Sequence, residues 1–331
     1  MALPQFSQFD IQPHRDSEML DAARQLLATG RFEGPMLLLD KRRIEQEAKR
    51  FQAALPRVAP HYAVKCNPEP EVLATLKNAG CEFEIASKDE LDRLLALDVN
   101  PANIFYSNPI KSAAFIRYAA RHGVRWYVVD SIEEVDKIHS IHPGASLYLR
   151  IAVSNEGSLW PLESKFGCQT QESWDIIRHC AEIGADLGGV SFHVGSQCLN
   201  PQNWVLGIES AMAYFHIMRE HGLRPRLLNL GGGFPARISE DDPTVEDFAP
   251  TINAALEKVS QQIRIIAEPG RALVASSGCM VCEVAGTATR SGQRWLYLDT
   301  GYYSGLAEFT DKFKFSLYSD RKGTIGDWTV A

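Results

Sequence analysis

The sequence lacks long hydrophobic runs, an excess of basic residues and a leader-like amino terminus. No apolar run approaches the roughly 20 residues that a membrane-spanning helix needs. The amino terminus has no basic stretch followed by an apolar one, so no signal peptide is predicted. A net charge of −7, with a pI near 5.8, argues against a surface for nucleic acids or anionic membranes. These absences favour a cytoplasmic protein that handles small molecules.

The spacing of the seven cysteines predicts neither a metal site nor a set of disulfides. Their number is odd, they are scattered, and most lie in or beside apolar segments, which is typical of reduced, buried thiols. Cys279 and Cys282 form a CxxC, but no second pair or histidine cluster accompanies them for zinc. Because this pair lies in a strand-like run, packing is favoured over redox chemistry, and no metal site is predicted.

What the 331 residues do contain is a repeated alternation of short β-rich runs and segments with helical spacing. Three of the latter, at 71–80, 88–98 and 131–141, carry apolar residues at i, i+3 and i+4, and acidic residues near their starts. The β-rich runs are HYAVK (61–65), CEFEIAS (81–87), IFYSN (104–108), RWYVVD (125–130), SLYLRIAV (146–153), VSFHVGS (190–196), LLNLGGG (227–233) and RIIAEPG (264–270).

Eight apolar strands alternating with helices predict an α/β fold with a parallel sheet covered by helices. About 210 residues for eight units fits a (β/α)8 TIM-like barrel, and a doubly wound open sheet is the alternative. The predicted domains are an arm, helix and strand-helix (1–60), the barrel (61–270) and a second, mostly β domain (271–331). The last is β-rich without helices and ends within a strand-like run, so it is expected to be incomplete.

Polar and glycine residues recur at the predicted carboxyl ends of these strands. In a barrel, such ends meet at one rim, where reactive groups collect. Each residue alone has an ordinary structural explanation, but their convergence on one rim favours a functional site. The residues are Lys65, Glu84, Arg150, His193, Ser196, Gly231, Gly232, Gly233, Glu268, Gly270 and Arg271.

Three chemical groups of this rim fit one cofactor. Successive glycines at 231–233 let backbone N–H groups approach an anion, and barrel phosphate sites follow strands seven and eight. Glu268 lies one strand from Lys65 once the barrel closes. A phosphate cradle, an amine and a carboxylate together predict a site for pyridoxal 5′-phosphate (PLP), with Lys65 as the attachment point and the acid on the pyridine nitrogen. Partial desolvation is expected to lower the pKa of Lys65.

Six ordered motifs resemble the fold-type III PLP decarboxylases, specifically the ornithine/lysine/arginine and diaminopimelate group. The motifs are YAVKCN (62–67), FEIASKDEL (83–91), SKFG (164–167), SFHVGSQC (191–198), LGGGFP (230–235) and AEPGR (267–271). The first, fourth and fifth look more like ornithine than diaminopimelate decarboxylases, and LDTGYYSGLAEFTD (298–311) resembles the bacterial ornithine/lysine branch.

The resemblance implies a role for each position. Lys65 would hold PLP, His193 would stack on its ring, and Glu268 would bind the ring nitrogen. Glu84 would stand near the ring where Asp is often found, Arg150 would support the ring-side network, and Glu90 matches a family acid near the lysine. Ser196, Gly231, Gly232, Gly233, Gly270 and Arg271 would surround the phosphate. The distal amine of the substrate would meet Tyr303, Glu308 or Asp311.

The implied activity is decarboxylation of a basic L-amino acid, ornithine before lysine, to a diamine for polyamine synthesis, in a homodimer. An acid at Glu268 favours this reaction over racemisation, because the related alanine racemases carry an arginine there. A racemase and a silent PLP-barrel homologue that binds or regulates partners remain the alternatives. Family members continue into a G-P-x-C-D segment where this sequence ends, which leaves truncation, completion by another chain, and degeneration open.

Overall fold

The structure is a computed structural model in which two compact units are described. The described residues are 17–30, 34–161, 165–237, 242–307, 317–318 and 326–330. One unit comprises 1–40, 237–242 and 275–331, and the other comprises 41–236 and 243–274. The sequence predicts a domain boundary after residue 60, whereas this division places the boundary between Asp40 and Lys41. Residues 41–60 belong to the larger unit, because the helix that begins at Lys41 packs on the helices of the barrel.

The elements alternate along the larger unit as the sequence pattern predicts. The helices are α1 (Ser17–Ala28), α2 (Lys41–Ala54), α3 (Pro70–Asn78), α4 (Lys88–Ala96), α5 (Ala113–Arg121), α6 (Ile132–Ile141), α7 (Thr170–Ile183), α8 (Gln202–Glu220), α9 (Val245–Leu256) and α10 (Arg271–Val274). The strands are β1 (Met36–Leu39), β2 (Val58–Ala63), β3 (Glu82–Ile85), β4 (Phe105–Tyr106), β5 (Trp126–Val129), β6 (Ser146–Arg150), β7 (Ser158–Trp160), β8 (Asp186–Ser191), β9 (Ser196–Cys198), β10 (Leu227–Asn229), β11 (Arg264–Ala267), β12 (Gly278–Val281), β13 (Val284–Arg290), β14 (Gln293–Leu298) and β15 (Thr329–Val330).

Eight parallel strands close into a barrel in the larger unit, in the order β2, β3, β4, β5, β6, β8, β10 and β11. The barrel closes where β11 pairs with β2, with Ile265 opposite Val58. This closed arrangement confirms the predicted (β/α)8 barrel and excludes the open doubly wound sheet. The strands are shorter than predicted at their carboxyl ends, because glycine and polar residues there leave the extended conformation for loops.

The barrel is held by burial on both faces of its strands. Inside it, Phe105, Val128, Tyr148, Leu227 and Ile266 form one buried cluster. Each such side chain contributes about 1.5–3 kcal/mol when removed from water. The helices begin at defined polar caps: the side chains of Ser87, Ser112 and Ser131 each accept a backbone N–H at the starts of α4, α5 and α6.

The smaller unit is mostly β, as predicted. Its strands β1 and β12 pair antiparallel, with Met36 opposite Val281. A separate sheet joins β13, β14 and β15. The seven cysteines all lie in the described part of the chain, and none forms a disulfide, but Cys282 is exposed, so the packing role expected for it is not what the structure shows. Among the described residues, no helix has the length and apolarity to cross a membrane, and no cluster of metal-ligating side chains is found.

Candidate active site

Lys65 lies just beyond the carboxyl end of β2, in the short 3-10 turn Val64–Cys66. Its Nζ is 3.8 Å from Oε1 of Glu84, and its side chain is 65% exposed. The pKa of Lys65 is raised, first by the Glu84 carboxylate and further by that of Glu268, although burial opposes the shift. The expectation of a lowered pKa is therefore wrong, because nearby carboxylates outweigh desolvation.

Glu84 is the buried carboxyl group of this rim. It lies in β3, paired in register with Ala63, and it is 2% exposed. Burial raises its pKa to about 8, since water no longer stabilises the charged form, while the Lys65 ammonium opposes this. Glu84 and Lys65 thus form a close pair in which burial favours the neutral carboxyl group and the lysine favours the charged one.

Glu268 follows β11 and is fixed by backbone and side-chain hydrogen bonds. Its backbone N–H donates to the carbonyl oxygen of Gly231 over 2.8 Å. Its Oε1 accepts from Ser107 Oγ at 2.5 Å and from Asn229 Nδ2 at 2.6 Å. Lys65 stands on the neighbouring strand of the same rim, where the Ala63 N–H donates to the Pro269 carbonyl at 3.2 Å. The structure therefore brings the amine and the acid together.

His193 follows β8 with its ring in one tautomer. The Gly195 N–H donates to Nδ1 over 3.0 Å, so Nδ1 is an acceptor and the ring proton is on Nε2. Burial, with the charge of Arg150, lowers the pKa of His193 well below its usual value. The imidazole is a neutral, flat surface at this rim.

The glycine turn after β10 is built from backbone that tolerates no side chain. Gly231 has φ +65°, and a Cβ there would lie 2.0 Å from the Phe192 carbonyl oxygen. Gly233 has φ +95°, and its Cβ would lie 2.2 Å from the Gly195 carbonyl oxygen. A Cβ on Gly232 would stand 2.9 Å from Nε2 of His193. The absence of Cβ atoms thus lets the turn pack directly against His193 and the neighbouring backbone.

Two neighbouring loops complete the surroundings of the turn. Ser196 begins β9, and Gln197 after it adopts φ +50°, an unusual conformation for a residue with a side chain. The buried Gln197 amide donates to the Ala236 carbonyl at 2.7 Å and accepts the Ala236 N–H at 3.0 Å. Gln197 therefore holds the far end of the glycine turn against the loop that carries Ser196.

The remaining rim residues come from three further loops or strand ends. Arg150 ends β6, with its guanidinium 5.1 Å from the ring centre of Phe166, and burial lowers its pKa. Glu90 accepts the Ala86 N–H at 2.7 Å. Gly270 packs against the Lys65 turn, since a Cβ there would lie 3.2 Å from that of Cys66, and Arg271 follows it.

The predicted substrate-binding residues belong to the smaller unit. Tyr303 belongs to the smaller unit, in the turn Tyr302–Ser304, and its side chain is 98% exposed. Glu308 and Asp311 lie outside the described residues. Sequence reasoning in turn missed Ser107, Tyr148, Asn229 and Gln197. Ser107 and Asn229 stand at or beside strand ends, which is a signal that could have drawn attention to them.

The described residues fit PLP. The glycine turn carries backbone N–H groups without side chains beside His193, as a phosphate site requires. An amine and a carboxylate suited to an aldehyde and a pyridine nitrogen stand on adjacent strands of the same rim. Lys65, His193, Glu268 and the glycine turn would hold the cofactor.

Comparisons with known proteins agree with this chemistry. The model of the pyridoxal-dependent decarboxylase family, pyridoxal binding domain, matches residues 41–275. Ornithine decarboxylase of Rattus norvegicus is 40% identical over 244 residues, which are 72% of this chain and 52% of that protein. The chain therefore spans about half the length of that curated relative. Lysine/ornithine decarboxylase of Selenomonas ruminantium is 32% identical over 88% of this chain and 75% of that protein.

A solved structure shares the fold over nearly the whole chain. Lysine/ornithine decarboxylase of Vibrio vulnificus, complexed with cadaverine, superposes with a TM-score of 0.86 at 30% identity, over 95% of this chain and 83% of that one. The matches cover the barrel, the glycine turn and the residues on both sides of the barrel closure. The chain belongs to the pyridoxal-dependent decarboxylase family, and residues 41–275 are its pyridoxal-binding domain.

Proposed function

We propose that the chain catalyses PLP-dependent decarboxylation of a basic L-amino acid, ornithine first and lysine second, to putrescine or cadaverine. The active form would be a homodimer with active sites at the interface. The relatives named above, which are ornithine and lysine/ornithine decarboxylases, support this substrate class. A diamine product is also consistent with Tyr303, Glu308 and Asp311 as residues that bind the distal amine.

The observation that carries the proposal is the meeting of Lys65 and Glu268 across the closure of the barrel. The two residues are far apart in sequence but follow adjacent strands, and the Ala63 N–H is bonded to the Pro269 carbonyl between them. The Glu268 charge also raises the pKa of Lys65. One ring-sized ligand can therefore touch both groups.

Each residue of the rim would have a defined task. PLP, when bound, supplies an electron sink for the carbanion that loss of CO2 leaves. Lys65 provides the amine that would attach the cofactor, and Glu84 Oε1, 3.8 Å from Nζ, would orient that amine. The neutral ring of His193 would lie against the cofactor ring. The N–H groups of Gly232 and Gly233, with Ser196 and Arg271, would bind the phosphate.

Glu268 decides between two reactions of related barrels. A carboxylate keeps a proton on the pyridine nitrogen and so favours decarboxylation, whereas an arginine there would favour racemisation. Two donors on Oε1, from Ser107 and Asn229, fix the orientation of this side chain. This arrangement favours the decarboxylase over the racemase.

The proposal is tested by adding PLP to the purified chain and following its visible absorbance and its release of CO2. Four substrates are compared: ornithine, lysine, arginine and diaminopimelate. We expect bound PLP, and CO2 release fastest from ornithine, with both signals lost in Lys65→Ala. PLP binding without CO2 release from any substrate would instead identify a binding or regulatory homologue. Absence of bound PLP would refute both.

A further inference from the structure

A buried chain of hydroxyl groups ends on the acid of the site. Tyr148, in β6, is fully buried, and its OH lies 2.7 Å from Oγ of Ser107, which follows β4. Ser107 in turn lies 2.5 Å from Oε1 of Glu268. Three residues from different strands are thus joined in one line of hydrogen bonds.

The direction of these hydrogen bonds follows from counting protons. The Asn229 Oδ1 accepts the Gly231 N–H at 2.9 Å, so its Nδ2 must be the donor to Glu268 Oε1 at 2.6 Å. Oε1 accepts a second hydrogen bond from the Ser107 hydroxyl. Because Ser107 donates its single hydroxyl hydrogen to Oε1, the Tyr148 OH must be the donor in its hydrogen bond with the Ser107 oxygen.

The two oxygens of the Glu268 carboxylate differ in their hydrogen bonds. Both donors converge on Oε1, and within the described part of the chain no side-chain or backbone donor is found for Oε2. Hydrogen bonds to the charged form of a carboxylate stabilise that form, and chains of them polarise one another. The donors thus hold Glu268 in one orientation, with one oxygen available for a ligand.

We propose that Tyr148 and Ser107 are positioning residues that, through a directed donor chain, hold the Glu268 carboxyl group in one orientation and present its Oε2 to the pyridine nitrogen of PLP. This inference rests on the proposed function only for the identity of the cofactor. Tyr148 acts through Ser107, and Ser107 acts through Glu268. Neither residue touches the reacting atoms.

The test is a titration of the ligand-free protein with PLP and with the PLP analogue in which carbon replaces the ring nitrogen. Binding is followed by tryptophan fluorescence and visible absorbance. For PLP, we expect Ser107→Ala to raise the dissociation constant about tenfold, as loss of a charge-assisted hydrogen bond does, and Tyr148→Phe about threefold. The double variant should equal Ser107→Ala. Binding of the carbon analogue should change less than about twofold in every variant.

Two matched substitutions control for packing. Tyr127→Phe removes a buried hydroxyl from the neighbouring β5, where it donates to the Val124 carbonyl at 3.1 Å. Ser112→Ala removes a hydroxyl that only caps α5. Both should bind PLP as the wild type does, and Ser107→Thr should restore much of what Ser107→Ala loses. Thermal unfolding without ligand identifies any variant that fails to fold.

Three results would overturn the inference. One is equal weakening of PLP and the carbon analogue by Ser107→Ala, which would indicate a merely structural role. Another is a double variant worse than Ser107→Ala by the full Tyr148→Phe effect. The third is a wild type that does not distinguish the two ligands. Decarboxylation plays no part in this titration, so a chain that binds PLP but releases no CO2 would refute the proposed activity and leave the donor chain standing.

Discussion

The two ends of the barrel both carry charged side chains, but they arrange them differently. There, Arg226 binds Asp186 and Ser146 Oγ, and Arg264 contacts His61 at 3.2 Å. At the carboxyl-terminal rim, three carboxylates surround one lysine, at a nearest distance of 3.8 Å.

The comparison shows what each end contributes. Charges that already have partners stabilise the fold, and they have little left to offer a ligand. Charges whose partners are few or of like sign shift their pKa values and remain available for chemistry. We therefore expect equivalent substitutions at the two ends to separate stability from cofactor binding.

The largest expected effect is that of Lys65→Ala at the rim. Removal of the attaching amine should lower kcat at least about 10⁴-fold, because loss of a covalent nucleophile removes a whole catalytic unit. Arg226→Leu at the opposite end should lower the free energy of unfolding by about 1 kcal/mol, since its partner Asp186 is half exposed. Its CO2 release per folded molecule should be unchanged. Equal loss of activity in both variants would contradict the division between the ends.

The next effect compares two glycines of similar backbone conformation. Gly231 has φ +65° at the rim, and Gly184 has φ +72° at the end of α7, before β8. A Cβ at Gly231 meets the Phe192 carbonyl oxygen, whereas none lies within 4 Å at Gly184. Gly184→Ala should cost about 1 kcal/mol, the strain of the left-handed conformation alone.

Gly231→Ala should abolish PLP binding at any concentration tested, because backbone must move to admit the methyl group. Equilibrium titration of both variants with PLP, beside urea unfolding of each, measures the difference. A Gly231→Ala protein that binds PLP normally would show that the turn is not the phosphate site.

A third prediction concerns the pH dependence of stability, for which the two ends should act in opposite directions. Burial and Arg264 lower the pKa of His61 to about 3, so below pH 6.5 the unfolded chain binds a proton that the native protein does not. Burial raises the pKa of Glu84 to about 8, so from pH 4.5 to 8 the native protein holds a proton that the unfolded chain releases. Stability should fall as the pH drops because of His61, and as it rises because of Glu84.

Each contribution amounts to about 2 kcal/mol over 1.5 pH units. Between pH 5 and 6.5 the two slopes oppose each other in the wild type, so urea unfolding of His61→Gln should there show stability that falls as the pH rises, and Glu84→Gln should show stability that falls as the pH drops. From pH 6.5 to 8 only Glu84 contributes, and Glu84→Gln should remove that slope. His193, whose pKa is also lowered, should retain part of the acid slope in His61→Gln. Identical profiles in the two variants would contradict the assignment.

The smallest expected effect compares two glutamines. Gln197→Ala removes both hydrogen bonds to Ala236 and should raise the PLP dissociation constant about threefold, because the glycine turn loses its clamp. Gln52→Ala, at the other end, removes one hydrogen bond to the Ala79 carbonyl and should leave PLP binding unchanged. Binding titrations of the two variants under one buffer condition make the comparison, and equal values would remove Gln197 from the site.

Much of this architecture is predictable from sequence because it depends on local periodicity. Eight apolar runs at regular spacing predict the barrel, and polar residues after them predict the rim. The strand ends are less predictable, since only the structure shows that Gly231 and Gly233 have positive φ. The sign of the Lys65 pKa shift was predicted wrongly, because it depends on distances to Glu84 and Glu268 that sequence does not give.

The supporting residues could not be predicted for a different reason. Tyr148 reads as an ordinary apolar strand residue, and its role depends on a neighbour two strands away. Gln197 has a positive φ, which is unusual for a glutamine and is not predicted by its residue type. Both become visible only when hydrogen-bond partners distant in sequence are placed side by side.

The pairing of β11 with β2 has a consequence for the folding of the protein. The amine arises from the first barrel strand and the acid from the eighth, so a nascent chain possesses no binding site until its last strand docks onto its first. A ligand that contacts both residues links the first strand to the eighth, and its binding energy therefore opposes opening of the barrel between them. Bound cofactor would thus stabilise the closed barrel as well as take part in the reaction.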